Sequence, residues 1–246
     1  RFEEDRDELI KKIYNEGIAK IINAGYSLES SKEAIKIAED YEFMYATAGI
    51  SPNDIDNFKK EELLEIENLA KNKKVVAIGE IGLDYYWNKE NKELQRQVFK
   101  AQIEIANRLD LPIVIHTREA IYDTLDILKN NECNKKGVFH CCPLNVDLVR
   151  EGLKLGFYIS FAGPITFKNS KNADEIINNY SEEYSNKMNK LVNDYLLQEE
   201  KMITPSGLVI EDIFSEESRK FAKQFVEKLD KKEMCPKPEF VMTEDD

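Results

Sequence analysis

Short apolar runs alternate along the chain with longer segments in which apolar residues return every three or four positions. The runs are "KIINAGY" (20–26), "FMYATAGI" (43–50), "VVAIGEIGL" (75–83), "LPIVIH" (111–116), "GVFHC" (137–141) and "FYISFAGPI" (157–165). They have strand length and are apolar on both faces, which predicts strands buried on both sides. The intervening segments, roughly 3–16, 29–39, 60–72, 91–109, 119–130 and 146–155, predict helices. "SLESSKEAIKIAE" (27–39) opens with Ser and Glu before its apolar repeat, an N-terminal helix signature. In the fourth helical segment Phe99, Ile103 and Ala106 share one face. Strands that each lead into a helix predict a parallel sheet with covered faces. Six or seven such units fit a TIM-like (β/α)8 barrel better than a doubly wound sheet. No GxGxxG follows any strand, which speaks against a dinucleotide-binding fold.

Beyond about residue 172 the pattern changes. A long polar segment reads as helical. It is followed by "GLVIEDI" (207–213), a helix from Ser215 to about Lys231, a loop with Pro236 and Pro238, and "FVMTEDD" (240–246). Either apolar run is a candidate for the last barrel strand.

Composition narrows the class. The chain has 246 residues, 42% hydrophobic and 33% charged, long enough for a full core. No apolar run reaches the ~18 residues of a membrane span, and no signal peptide is visible. Cys133, Cys141, Cys142 and Cys235 form no CxxC pair and read as reduced thiols, which suits the cytoplasm. A net charge of −12 argues against broad, non-specific nucleic-acid binding. It leaves room for a local cationic site, because bound metal ions invert the local field.

Three polar residues interrupt the apolar strands: Glu80, His116 and His140, the last two being the chain's only histidines. Each is expected at the end of its strand, and the three strands are consecutive. Neighbouring strands lie about 4.8 Å apart, and the carboxyl rim of a barrel carries its active site. Two imidazoles and one carboxylate meeting there suit a catalytic divalent metal with room for water. A salt bridge from Glu80 to Arg118 is the structural alternative. Asp84, expected just past its strand, is a candidate for orienting a ligand or water; Arg118, likewise placed, is a candidate anion contact.

These residues sit in blocks that together resemble the TatD family of metal-dependent deoxyribonucleases, in the amidohydrolase superfamily. The blocks are "KIINAGYSLESSKEAIKIAE" (20–39), "GEIGLDYY" (79–86), "LPIVIHTREA" (111–120), "FHC" (139–141) and "GFYISFAGPITFKN" (156–169). The resemblance is clear over residues 1–171 and weak over 172–246; the whole chain is expected to form one hydrolase domain. It implies a TIM-like barrel, one or two divalent ions (Zn, Mg or Mn) and phosphodiester hydrolysis. It maps the metal-bridging Glu onto Glu80 and two His ligands onto His116 and His140.

Three departures from the family pattern stand out. The H-x-H motif that closes the family's first strand has no counterpart before "RFEEDRDELI", so the chain reads as starting late, with only seven barrel strands to count. "SPN" (51–53) replaces the frequent His-Pro-His. The last-strand Asp, a ligand and general base in the family, falls on Asp245, with Asp212 or Glu211 as substitutes.

The expected function is a cytoplasmic metal-dependent deoxyribonuclease acting on DNA ends or short single strands. Arg118 and Lys168 are expected to hold phosphate. The two alternatives are a small ester, lactone or amide hydrolase, and a degenerate barrel that binds a partner protein.

Overall fold

The computed structural model describes residues 5–15, 18, 20–87, 89–162, 172–173 and 175–176, and the backbone of 202–203 and 209–210. The chain divides into two compact units, residues 1–176 and 177–246.

The first unit repeats one motif. In chain order it runs α1 (Arg6–Asn15), β1 (Ile21–Asn23), α2 (Leu28–Glu39), β2 (Met44–Ala48), a 3-10 turn (Pro52–Asp54), α3 (Glu61–Leu69) and β3 (Val75–Asp84). It continues through α4 (Lys92–Leu109), β4 (Ile113–Arg118), α5 (Ile121–Asn130), β5 (Gly137–Phe139), α6 (Val146–Lys154) and β6 (Tyr158–Ile159). The six strands are all parallel and lie in the sheet in the order of the sequence. A doubly wound sheet reverses its order at a switch point. This sheet has no reversal and forms the curled wall of a TIM-type barrel.

Local chemistry explains the helix starts. Ser27 caps α2 in a reciprocal box: its side chain accepts from the Ser30 N–H, and the Ser30 hydroxyl takes the Ser27 N–H at 2.8 Å. Here the Ser30 hydroxyl fills the N3 role that Glu or Gln usually takes. Asn145 caps α6 by accepting from the Leu148 N–H at 2.9 Å. The core lies between sheet and helices. Phe99, Ile103 and Ala106 of α4 are fully buried, as are Ile78, Ile81, Leu83, Ile113, Ile115 and Phe139 of the strands. Each fully buried side chain of this size contributes about 1.5–3 kcal/mol.

Two expectations about strand ends need correction. β3 extends to Asp84 and β4 to Arg118, so Glu80 lies inside β3 and His116 inside β4. Asp84 and Arg118 are the last residues of those strands and pair with each other across the ladder. The cause is a bulge. Ile78 pairs with Ile113 and Ile81 with Ile115, so β3 uses one residue more than β4 over that span. Gly82 then keeps the strands together. It sits at φ +140°, and a Cβ there would lie 2.0 Å from the His116 carbonyl oxygen.

In the second unit, Met202–Ile203 (β7) pairs antiparallel with Val209–Ile210 (β8). The described part of "GLVIEDI" thus belongs to a two-stranded sheet of its own, not to the parallel one. The helix expected from Ser215 and the run at 240–246 lie outside the described residues. Among the described residues, no helix is long and apolar enough to cross a membrane.

Candidate metal centre

Glu80 occupies the β3 bulge, where its backbone N–H donates to the Gly25 carbonyl at 2.6 Å. Its Oε1 lies 3.2 Å from Nδ1 of His116. The other ring nitrogen of His116, Nε2, lies 2.9 Å from Oδ2 of Asp84. The imidazole is therefore held between two carboxylates. Glu80 and His116 are half-buried, and Asp84 is completely buried.

Asp84 is fixed on every side. Its Oδ1 accepts the backbone N–H groups of Tyr86 at 2.9 Å and Trp87 at 3.0 Å. The amide of Gln95, on α4, takes its N–H at 2.9 Å and donates to its carbonyl at 3.0 Å. Burial pushes the Asp84 carboxyl upward, but the Trp87 N–H, the His116 hydrogen bond and charge, and the Tyr86 N–H outweigh it. The net effect holds its pKa below the usual carboxylate value. Glu80 behaves alike: burial raises it, while the hydrogen bond from His116 and the charges of His116 and His140 bring it below its ordinary value. For His116, burial favours the neutral ring, yet the two carboxylates win and raise its pKa.

His140 follows β5 directly, and its N–H donates to the Ile115 carbonyl at 2.8 Å. It is exposed, one strand over from His116. The structure brings Glu80, His116 and Asp84 into contact, with His140 acting on Glu80 only through its charge. Among the described residues, no three His, Cys, Asp or Glu side chains converge as a ready-made ion cage.

The chemistry of the donor pair nonetheless fits a divalent ion. Two ligands bonded at about 2.0–2.1 Å to one tetrahedral ion lie about 3.3 Å apart. The Glu80 Oε1 to His116 Nδ1 separation is 3.2 Å. A metal-ligating His commonly gives its second N–H to a carboxylate, the place Asp84 takes. A proton or a cation on Nδ1 satisfies the same pair.

Arg118 does not pair with Glu80. Its guanidinium lies 4.0 Å from the centre of the Tyr86 ring and 5.5 Å from that of Trp87. Ser51, in the "SPN" stretch, is buried and caps the 3-10 turn, accepting from the Asn53 N–H at 3.4 Å. Lys168 and Asp245, with the substitutes Asp212 and Glu211, lie outside the described residues.

Sequence reasoning passed over the buried amides of α4. Gln95 holds Asp84, and seven residues on Gln102 holds Ile50 the same way, through its N–H at 2.7 Å and its carbonyl at 3.0 Å. The available signal was two glutamines on the apolar face of an amphipathic helix.

Comparison with known proteins shows the family. The profile of the family "TatD related DNase" matches residues 1–185. A Bacillus subtilis protein named "Uncharacterized metal-dependent hydrolase YabD" is 38% identical over 178 residues, 72% of this chain and 70% of the relative. A Cronobacter sakazakii protein named "3'-5' ssDNA/RNA exonuclease TatD" is 34% identical over 164 residues, 66% of this chain and 62% of the relative. The crystal structure of YJJV, a TatD homologue from Escherichia coli K12, superposes with a TM-score of 0.64 at 27% identity. That match covers 68% of this chain and 65% of that one. The chain thus spans between about three fifths and seven tenths of the length of these proteins. By sequence profile, by relatives and by fold, the chain belongs to the TatD-related DNase family.

Proposed function

We propose that this protein is a metal-dependent hydrolase that cleaves phosphodiester bonds in single-stranded DNA or at DNA ends. The observation that carries the reading is the Glu80–His116 pair with Asp84 behind it, at a donor spacing suited to one ion. Support also comes from relatives named metal-dependent hydrolases and a 3'-5' ssDNA/RNA exonuclease.

Glu80 and His116 would hold the ion, with His140 completing the set from the next strand. A divalent ion there supplies positive charge to the phosphoryl oxygens and lowers the pKa of a water. The chain's own groups do the rest. Asp84 accepts a hydrogen bond from the Nε2–H of His116, which makes Nδ1, on the Glu80 side, the nitrogen that would give its lone pair to the ion. Arg118, with its guanidinium 4.0 Å from the centre of the Tyr86 ring, is the candidate to give N–H donors to a phosphate oxygen. Lys168 is a second candidate for phosphate, and Asp245 the candidate acceptor of the water's proton.

The test is a substrate screen with Mn²⁺ or Zn²⁺, setting single-stranded DNA against simple esters and lactones. Strand cleavage that His116→Ala abolishes is the expected result. Ester turnover without strand cleavage would replace this reading with small-molecule hydrolysis.

A further inference from the structure

Resting on that reading, we propose that Trp87, braced by Tyr86 and Arg118, is a stacking platform for a nucleobase of the bound strand. Trp87 is 69% exposed and Tyr86 40%. Single exposed apolar residues are ordinary on protein surfaces and mean little alone. These two rings pack on each other. They meet edge to face, with centroids 4.7 Å apart at 87°. The Arg118 guanidinium lies over both. Their backbone N–H groups bind Oδ1 of Asp84, whose Oδ2 holds His116. One buried carboxylate therefore ties the rings to the candidate metal centre.

The chemistry selects the occupant. A flat aromatic face beside a stacked guanidinium offers a base one surface and a phosphate another, as single-strand binders do. The body carries a net charge of −12, so affinity for a strand has little general electrostatic support. Stacking is the sequence-tolerant source of affinity that remains.

Trp87 is the chain's one tryptophan, so its fluorescence reports the platform directly. The experiment titrates wild-type protein in Mn²⁺ with a short oligothymidylate and with a strand of equal length whose terminal nucleotides are abasic. Expected are quenching by the base-bearing strand and a Kd roughly 5- to 100-fold tighter than for the abasic one. With binding read instead by the anisotropy of dye-labelled strands, since neither variant keeps a tryptophan, Trp87→Ala should bring that ratio to within about twofold, and Trp87→Phe should retain most of it. If Trp87→Ala does not fold, the wild-type comparison alone decides. Equal Kd values or absent quenching overturn the platform. Cleavage without base discrimination removes the platform and leaves the hydrolase reading standing. Discrimination with quenching but no cleavage does the reverse. Failure to bind either strand overturns both.

Discussion

Asp84 decides which nitrogen of His116 can act. As a carboxylate it only accepts, so the Nε2 of His116 carries a proton, and Nδ1 is the nitrogen that either donates to Glu80 or, once deprotonated, gives its lone pair to an ion. Asp84→Asn reverses this. The new amide still has an oxygen for the Tyr86 and Trp87 N–H groups, so the fold survives. Its NH₂ now donates to Nε2 and moves the ring proton to Nδ1, where it blocks a metal. Calorimetric titration with Zn²⁺ or Mn²⁺ should show affinity reduced about 10- to 100-fold with near-native unfolding behaviour. Unchanged affinity would mean that Asp84 does not set the tautomer. One residue on, Tyr85 supplies a test of stability alone. Its hydroxyl donates to Asp123 at 2.6 Å, and Asp123 also accepts from Arg96. Burial first, then the Asp123 hydrogen bond and charge, push the Tyr85 pKa from 10.0 up to about 12. The fold favours the neutral phenol, so this stability is complete below about pH 10, the unfolded value, and lost as pH rises through about 12. Tyr85→Phe should cost about 1 kcal/mol at neutral pH. In chemical denaturation across pH, the gap between the two proteins should stay level to about pH 10 and narrow above it. A gap that is flat into the most alkaline range would refute this assignment.

Helix α4 works on the sheet through two buried side-chain amides as well as through its apolar face. Gln102 satisfies both backbone groups of Ile50, and Gln95 both of Asp84. Gln102→Leu leaves a buried N–H and C=O without these partners, a cost of about 2–4 kcal/mol in urea unfolding. Gln95→Leu should cost a similar amount and also weaken metal binding, because it releases the strand end that carries Asp84. If both variants lose metal affinity equally, the coupling runs through general instability and not through Asp84. The element level was also the most legible in the sequence. Among the described residues, helical periodicity located six helices to within three residues of their observed ends. Strand ends were less legible because a run that is apolar on both faces has no alternation to mark where its ladder shifts. The bulge at Gly79 and Glu80 adds a residue without changing the apolar character of the run. Glu80 therefore looked terminal when it is internal. The Glu80–His116 contact was legible nonetheless, since adjacent parallel strands had to bring those positions near one another. The Asp84 bond to His116 followed from the same adjacency, whereas the Gln95 clamp left only a partial trace, because a glutamine on the apolar face of α4 signals a buried partner without naming it.

For the whole molecule, charge sets how a strand can be held. With 35 basic against 47 acidic residues, the net charge is −12. A strand approaching such a body gains little from long-range attraction, and each phosphate must be neutralised by a specific cation or bound ion. The candidates from this chain are two, Arg118 beside Tyr86 and Trp87, and Lys168 from the "TFKN" stretch. Binding through two phosphate contacts to a single strand predicts a slope of log K against log[salt] of about −1.4. A basic protein making six or more contacts gives about −4 or steeper. Anisotropy titrations of a short dye-labelled DNA strand over a range of NaCl, at fixed Mn²⁺, read this slope directly. Arg118→Ala should bring it to about −0.7, the value for one remaining contact. Trp87→Ala should weaken binding with the slope unchanged, because stacking displaces no counterions. A slope of −4 in the wild type would mean that an extended basic surface holds the strand. The two-cation account of this acidic protein would then be wrong.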